Sequence, residues 1–171
     1  MKLQSFEAVV GALNDAGVRY LIAGGLAVNA HGYLRFTHDV DLIVQLIPEN
    51  VESAFQALGA LGYHPIVPVE AQEFADLITR ETWIKEKGMT VLSFHSEAHR
   101  EMPVDLFVDI PFDFDVEFDR SLQGEVLSGL TTRFVSIATL IDMKRVADRP
   151  RDRDDIQHLL WILEETEKGD D

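Results

Sequence analysis

The sequence of this chain predicts an α/β fold of the α+β kind, in which a mixed sheet with antiparallel edges carries helices on its outer face. Apolar residues recur at helical spacing in three segments, 4–16, 48–62 and 136–146. Short apolar or alternating runs, which are typical of strands, lie between these segments. The 171 residues, 46% of them hydrophobic, fit one domain with a substantial core.

We expect this single domain to divide into a core over residues 1–135 and a pair of C-terminal helices over 136–166 that close one side of a cleft. The absence of cysteine excludes disulfides, a thiolate zinc site and a cysteine nucleophile. No apolar run approaches the roughly 20 residues of a membrane span, so a cytoplasmic protein without a membrane partner is expected. The formal charge of −15 opposes tight binding of long nucleic acid.

The first half of the chain alternates helices with short strands. A helix over 4–16 is expected to end at Gly17 and to be followed by a strand over 20–23. A short helix over 26–31 and a strand over 39–44 come next. A second long helix opens at Pro48 and ends at Gly62.

The second half has a weaker pattern. We expect a short helix over 70–77 and a hairpin of strands 82–85 and 89–94 around Lys87 and Gly88. A strand over 103–110 follows. The remaining expected elements are a solvated loop that carries Asp113, Asp115, Glu117 and Asp119, strands 125–127 and 133–135 around Gly129, a helix capped by Ser136, and a last helix over 156–165.

Gly24 and Gly25 lie where the strand over 20–23 gives way to a helix. The first turn of a helix presents N–H groups that have no partner within the helix, together with the positive end of the helix dipole. Such a turn is a common place for a phosphate group. The glycines therefore indicate a phosphate-binding turn.

Asp39 and Asp41 alternate with apolar residues on the strand that follows. Successive strand side chains point to opposite faces, so the two carboxylates share one face. At about 4 Å and an effective dielectric constant near 20, their repulsion is on the order of 4 kcal/mol. A bound cation would relieve it, and Mg²⁺ prefers carboxylate and phosphate oxygens. The alternative is an edge strand with two solvated aspartates.

The segment that contains Gly24, Gly25 and Ala27, followed by R-x-T-x-D-V-D-L from Arg35, resembles the signature of the polymerase-beta-type nucleotidyltransferase superfamily. Its spacing is closer to small bacterial members of the AbiEii-type toxin and antibiotic-modifying branches than to the polymerases. The resemblance implies that Arg35 and Thr37 contribute to the nucleotide site. It also implies that Asp39 and Asp41 bind Mg²⁺ or Mn²⁺.

The same resemblance implies a third carboxylate on a neighbouring strand with an apolar-Asp-apolar pattern. Asp105 matches this pattern best, and Asp109 is the second candidate. The third carboxylate would complete a metal site and accept the proton of an acceptor hydroxyl. Its strand must then lie beside the strand of Asp39 and Asp41.

His95 and His99 have the H-x-x-x-H spacing that binds zinc when it lies on a helix. The sequence around them does not favour a helix, since an apolar strand ends at Phe94 and Pro103 soon follows. A solvated loop between strands is the interpretation that the pattern favours.

Basic residues concentrate in the segment 144–153 of this otherwise acidic chain. One interpretation is a polar turn between two helices, in which the carboxylates of Asp152, Asp154 and Asp155 interact favourably with the positive end of the last helix's dipole. The other is that Lys144 and one or more arginines reach the cleft and hold phosphates. The segment L-I-D-M-K-R-x-A-x-R-P-R-D-x-x-D resembles the C-terminal part of small bacterial nucleotidyltransferase-like proteins, which implies the second.

Two functions remain open at this point. The first is a metal-dependent, ATP- or other NTP-using nucleotidyltransferase that acts on an RNA end, a small molecule or a protein; Lys144 would neutralise phosphate charge. The second is a non-catalytic nucleotidyltransferase-like module, for instance in a toxin and antitoxin pair. After the last helix we expect no large C-terminal substrate domain of the kind that many members of the superfamily carry, so the acceptor stays open, and the sequence does not indicate the oligomeric state.

Overall fold

The chain forms eight helices and seven strands in the part that the structure, a computed structural model, describes: residues 2–127 and 129–169. The helices are α1 (Leu3–Asp15), α2 (Gly24–Ala30), α3 (Pro48–Ala60), α4 (Ala71–Ala75), α5 (Leu77–Lys87), α6 (Phe114–Arg120), α7 (Ile137–Ala147) and α8 (Pro150–Gly169). The strands are β1 (Tyr20–Ile22), β2 (Val40–Val44), β3 (Tyr63–Pro65), β4 (Val91–Ser96), β5 (Val104–Phe107), β6 (Leu122–Leu127) and β7 (Leu130–Phe134).

All seven strands belong to one mixed sheet in the order β3-β4-β5-β2-β1-β7-β6. The pairs β2 with β5 and β1 with β7 are parallel, whereas the outer pairs β3 with β4 and β6 with β7 are antiparallel. This arrangement confirms the predicted α/β class with a mixed sheet and antiparallel edges. Two C-terminal helices, α7 and α8, pack against each other as expected.

The core lies between one face of the sheet and the helices α1, α3 and α4. Alternation on β2 and β5 turns Val40 and Leu42 to this face beside Val104 and Leu106, and all four are fully buried. The Phe55 ring of α3 packs against rings of α4 and β4. Burial of such side chains contributes roughly 1.5–3 kcal/mol each, so this face anchors β2 and β5 side by side.

The opposite face, here called the aspartate face, is covered on one half only. Near β1 and β7, Leu21, Ile43 and Val135 are fully buried, and α2 and α7 contact each other over this half. Towards β5 and β4 the side chains of Ser93 and Phe107 on this face are half-buried. The uncovered half therefore leaves room for a ligand beside β2 and β5.

Several predicted helix boundaries are confirmed. Gly17 follows α1 with a φ of 64°, a conformation that glycine adopts without strain. Ser136 caps α7, where its side chain accepts a hydrogen bond from the Thr139 N–H. In the part of the chain that the structure describes, no helix is long and apolar enough to cross a membrane.

The hairpin expected over 82–94 is wrong. The first of its two segments belongs to α5, and only the second, as β4, is a strand. Gly88 has a φ of 60° and ends α5, because its N–H and that of Met89 donate to carbonyls of the last helical turn. The glycine that was interpreted as a hairpin turn is a helix cap.

The solvated loop expected over 113–119 is also wrong, since most of it forms α6. Asp113 caps this helix by accepting from the Val116 N–H. Glu117 is fully buried and accepts hydrogen bonds from the Ser136 N–H at 2.6 Å and the Thr139 hydroxyl at 2.8 Å. The carboxylate thereby fixes the start of α7 against α6, which an alternation of acids and aromatics in sequence did not indicate.

Other boundaries move by a few residues. The short helix expected over 70–77 is split at Asp76, which caps α5. The strand expected over 103–110 ends at Phe107, and α8 begins at Pro150 rather than Ile156. The edge strand β3 was not predicted.

Candidate active site

Three aspartates lie together on the aspartate face. In the parallel pairing of β2 with β5, Asp41 is directly beside Asp105. Asp39 precedes Asp41 by two residues, so its side chain points to the same face. The expectation that the Asp105 strand lies beside that of Asp39 and Asp41 is therefore confirmed.

The electrostatics of Asp41 show how close these carboxylates are. Burial, followed by the negative charges of Asp105 and Asp39, raises the pKa of Asp41 from 3.8 to about 6. The positive charges of Arg149 and Lys144 act in the opposite direction. An ionised Asp41 is thus repelled by its neighbours, and cations within reach offset only part of that repulsion.

Asp105 also has a raised pKa, with a hydrogen bond that partly offsets the shift. Burial raises the pKa of Asp105, a hydrogen bond with the cross-strand Ser93 hydroxyl lowers it, and the charge of Asp39 raises it again, so that the pKa lies above its usual value. The second candidate, Asp109, follows β5, is exposed, and interacts with the charge of Arg80. It does not lie beside Asp41, so Asp105 keeps the place of the third carboxylate.

The donor set fits Mg²⁺ or Mn²⁺ in its chemistry, because three carboxylate groups lie on one face of the sheet and, among the residues that the structure describes, none of them forms a salt bridge. In residues 2–127 and 129–169, however, no three His, Cys, Asp or Glu side chains are gathered closely enough to hold a metal ion by themselves. Mg²⁺ is commonly bound by one or two carboxylates together with substrate phosphates. The aspartates therefore suit a cation that phosphate oxygens also hold.

The glycine turn is in direct contact with Asp41. Gly24 has a φ of 58°, and a Cβ atom added there would lie 1.8 Å from an Asp41 carboxylate oxygen. Only glycine fits at this position, because the left-handed backbone conformation disfavours other residues and Asp41 occupies the space that a side chain would need. The first turn of α2 thus lies against the carboxylate cluster, with its N–H groups at the same end.

Gly25 is in contact with the other two residues that the resemblance assigned to the nucleotide site. A Cβ atom at Gly25 would lie 2.4 Å from the Thr37 hydroxyl oxygen and 3.1 Å from an Arg35 guanidinium nitrogen. The loop between α2 and β2 thus places Arg35 and Thr37 against the turn. A hydrogen-bond donor, a hydroxyl and a cation meet there, which is the chemistry that binds phosphate.

Lys144 is buried between two aspartates of α8. Its Nζ atom lies 2.6 Å from an oxygen of Asp155 and 3.1 Å from an oxygen of Asp152, and all three side chains are at most 5% exposed. Asp155 also accepts two hydrogen bonds from Arg35, at 2.7 and 2.8 Å. Lys144 therefore links α7 to α8, and Asp155 links α8 to the loop before β2.

Arg149 is the exposed cation of this network. It donates from Nε to Asp152 at 2.7 Å, while its side chain is 71% exposed. Its charge lowers the pKa of Asp41, so the guanidinium lies near the carboxylate cluster. We name Arg35, Lys144, Arg149, Asp152 and Asp155 the ionic network.

The other residues singled out in the sequence lie elsewhere. His95 is on β4 with its ring 3.2 Å from Glu97, and His99 stacks on Tyr63 and contacts the Ser5 hydroxyl. The two histidines do not form a zinc pair.

Sequence reasoning did not identify Asp152 and Asp155 as buried partners, because their position at the start of a helix explained them as capping charges. Their spacing of three residues, which places both on one side of α8, was the available signal. Ser93 carried no signal, since its role depends on the pairing of β4 with β5.

No family model and no curated protein matches the chain. A solution structure of the antibiotic-resistance factor ANT(2'')-Ia matches with a TM-score of 0.59 and 16% identity, over 94% of this chain and 83% of the other. A crystal structure of ANT(2'')-Ia in complex with adenylyl-2''-tobramycin matches with a TM-score of 0.58 and 14% identity, over 94% and 88%. At such identities the likeness shows the fold alone.

Gly24→Ala should destabilise the protein. The left-handed backbone conformation alone costs about 1–2 kcal/mol for alanine, and the added methyl group must displace Asp41. Gly11→Ala is the matched control: it lies inside α1 with nothing within 4 Å of its added Cβ, so it should stabilise by up to about 1 kcal/mol. Urea denaturation of both variants measures the difference, and equal midpoints would contradict the contact.

Asp41→Asn should stabilise the metal-free protein at high pH. Because the pKa of Asp41 in the folded state lies above its ordinary value, the folded protein binds the proton more tightly than the unfolded chain. The free-energy penalty for ionising Asp41 in the folded state develops between about pH 4 and pH 6. At pH 8 its removal should raise the free energy of unfolding by up to about 3 kcal/mol. Urea denaturation in EDTA at both ends of this range measures the gain. The exposed Asp15→Asn variant is the control for one lost charge, and a gain at pH 4 equal to that at pH 8 would refute the prediction.

Proposed function

We propose that this protein is a metal-dependent nucleotidyltransferase that transfers a nucleoside monophosphate from a nucleoside triphosphate to a hydroxyl group. The observation that carries the proposal is the pairing of Asp41 with Asp105 across two parallel strands, directly beside the glycine turn. Carboxylates that repel one another next to N–H groups and cations suit a triphosphate with its divalent cation.

The structural neighbour supports this choice of chemistry. The ligand named in its crystal structure, adenylyl-2''-tobramycin, contains an adenylyl group joined to an antibiotic. That is the kind of product that transfer of a nucleoside monophosphate to a hydroxyl group yields. For this chain the acceptor stays open.

Asp39, Asp41 and Asp105 would hold Mg²⁺ or Mn²⁺ jointly with phosphate oxygens. When bound, the ion supplies positive charge that stabilises the phosphates as negative charge shifts between their oxygens. Asp105 would accept the proton of the acceptor hydroxyl, because it is the carboxylate on the neighbouring strand β5, beside Asp41 and next to the uncovered half of the aspartate face.

The transfer breaks one bond and forms one. The acceptor oxygen attacks the α-phosphorus, the bond from that phosphorus to the oxygen that bridges to the β-phosphate breaks, and pyrophosphate leaves with that oxygen. The N–H groups of the turn at Gly24 and Gly25, the Thr37 hydroxyl and the guanidinium groups of Arg35 and Arg149 would hold the phosphates in line.

Lys144 takes a different part from the direct phosphate contact expected from the sequence. Its ammonium group already donates to Asp152 and Asp155, which are buried with it. Since Asp152 and Asp155 in turn hold Arg149 and Arg35, Lys144 would contribute a fixed positive charge and keep the two arginines in place. Arg149, whose side chain is 71% exposed, would then contact the phosphates most directly. Arg35 would reach them only through its Nη1 group near Gly25, because its Nε and Nη2 atoms donate to Asp155.

A second candidate is a nucleotidyltransferase-like binding module without catalysis, for instance in a toxin and antitoxin pair. One observation favours it: in the described ranges the carboxylates are not gathered into a metal-binding group. Such a module would bind a nucleotide at the glycine turn and leave it intact.

A transfer assay separates the two. The protein is incubated with Mg²⁺, α-phosphate-labelled nucleoside triphosphates and a cell extract, and the labelled fraction is identified. The transferase predicts label in an acceptor, release of pyrophosphate, and loss of both in Asp39→Asn and Asp41→Asn. Label transfer at an unchanged rate in both variants would overturn the assignment, and nucleotide binding without transfer would favour the module.

Arg149→Ala should weaken the binding of Mg²⁺-ATP by at least tenfold and reduce its dependence on salt, because one charged contact is lost. Arg151→Ala is the matched control, since this exposed arginine lies two residues away and its loss changes the net charge equally. Isothermal titration at two salt concentrations measures both affinities. Equal affinities of the two variants would show that Arg149 does not contact phosphate.

A further inference from the structure

The aspartate face continues beyond the candidate active site to the open edge of the sheet at β3. Ser93 on β4 lies beside Asp105, and His95, two residues further along β4, lies directly beside His64 on β3. Side chains two residues apart on a strand point the same way. Both imidazole groups are therefore on the face that carries the aspartates, and both are exposed.

These two histidines line a groove with a volume of about 590 Å³, together with Pro65, Ile66 and Glu97. Ligand sites in proteins commonly measure roughly 300–1,000 Å³. Ile66 is 66% exposed, so the groove offers apolar surface beside the imidazole groups. The groove therefore has room for a small ligand and offers it both hydrogen bonds from the imidazole groups and apolar contacts from Ile66.

The groove is within reach of the reaction centre. Neighbouring strands lie about 4.8 Å apart and residues on a strand about 3.3 Å apart, which places the backbone of His95 about 8 Å from that of Asp105. Ser93 adjoins both residues on the same face, since it lies directly beside Asp105 and two residues before His95. A ligand in the groove can present one hydroxyl group to Asp105 while its other end contacts the histidines.

The residues that line the groove contribute little net charge. Glu97 is the acidic residue among them, and hydrogen bonds from Arg100 and then His95 lower the pKa of Glu97. The lining therefore offers hydrogen bonds and apolar contacts, which suit the hydroxyl groups and the flat ring of an uncharged acceptor.

Imidazole rings bind hydroxyl groups and stack on flat rings. In this protein the His158 ring already stacks on Tyr33 at 3.8 Å, with the planes 2° apart. We propose that the groove formed by His64, His95 and Ile66 is the acceptor subsite of the proposed transferase, and that it takes an uncharged ribonucleoside. This inference rests on the proposed function and names the acceptor class for it.

Binding of adenosine, followed through the imidazole NMR signals of the six histidines, tests the subsite directly. Adenosine should shift the signals of His64 and His95, and tobramycin at the same concentration should not. The variants His64→Ala and His95→Ala assign the signals, and each should weaken adenosine binding at least tenfold. His158→Ala, which removes a histidine outside the groove, should leave that affinity unchanged.

The outcomes separate the subsite from the proposed function. If adenosine leaves the signals of His64 and His95 unmoved, or binds both variants as it binds the natural protein, the subsite is wrong even where Mg²⁺-ATP binds. If adenosine binds there and no label is transferred to any acceptor, the proposed function fails and the groove is a nucleoside-binding site without an acceptor role. A ribonucleotide trimer that binds more weakly than adenosine identifies a free nucleoside as the ligand, and one that binds more tightly identifies an RNA end.

Discussion

The parallel pairing of β2 with β5 is the interaction on which the site depends. Val40 and Leu42 lie beside Val104 and Leu106 in the core, and this burial fixes the register of the two strands. The same register places two carboxylates side by side on the opposite face. A slip of one strand by one residue would bury its carboxylates and expose its apolar side chains. The free energy of burying the apolar side chains on the core face therefore holds the aspartates together despite their repulsion.

The buried charges of the ionic network serve a geometric purpose. Replacing a buried ion pair with apolar residues is often neutral or stabilising, so Lys144 with Asp152 and Asp155 is poor evidence for stability as such. What the network does provide is position: one side of α8 holds two arginines, Arg35 from the loop before β2 and Arg149 from the loop before α8. The side chains of Asp152 and Asp155 on α8 thus fix the orientation of two guanidinium groups whose own backbones lie in loops.

Much of the fold followed from local patterns, and so did part of the site. The helices with clear apolar stripes, the glycine turn and the three aspartates were predictable, because their signals lie within a few neighbouring residues. The roles of Glu117 and Asp155 were not predictable, since each depends on donors from elements distant in sequence. Gly88 was misjudged because a glycine after a lysine suits a hairpin turn as well as a helix cap.

The ionic network also sets the order in which the site is completed during synthesis. All seven strands precede residue 137, so a growing chain can pair β2 with β5 and expose three repelling aspartates before α7 and α8 exist. Arg149 and Arg35 gain their partners Asp152 and Asp155 only when the first two turns of α8 dock. A nascent chain thus has the carboxylates before it has the fixed positive charge, and the proposed affinity for a triphosphate would arise as one of the last steps of folding.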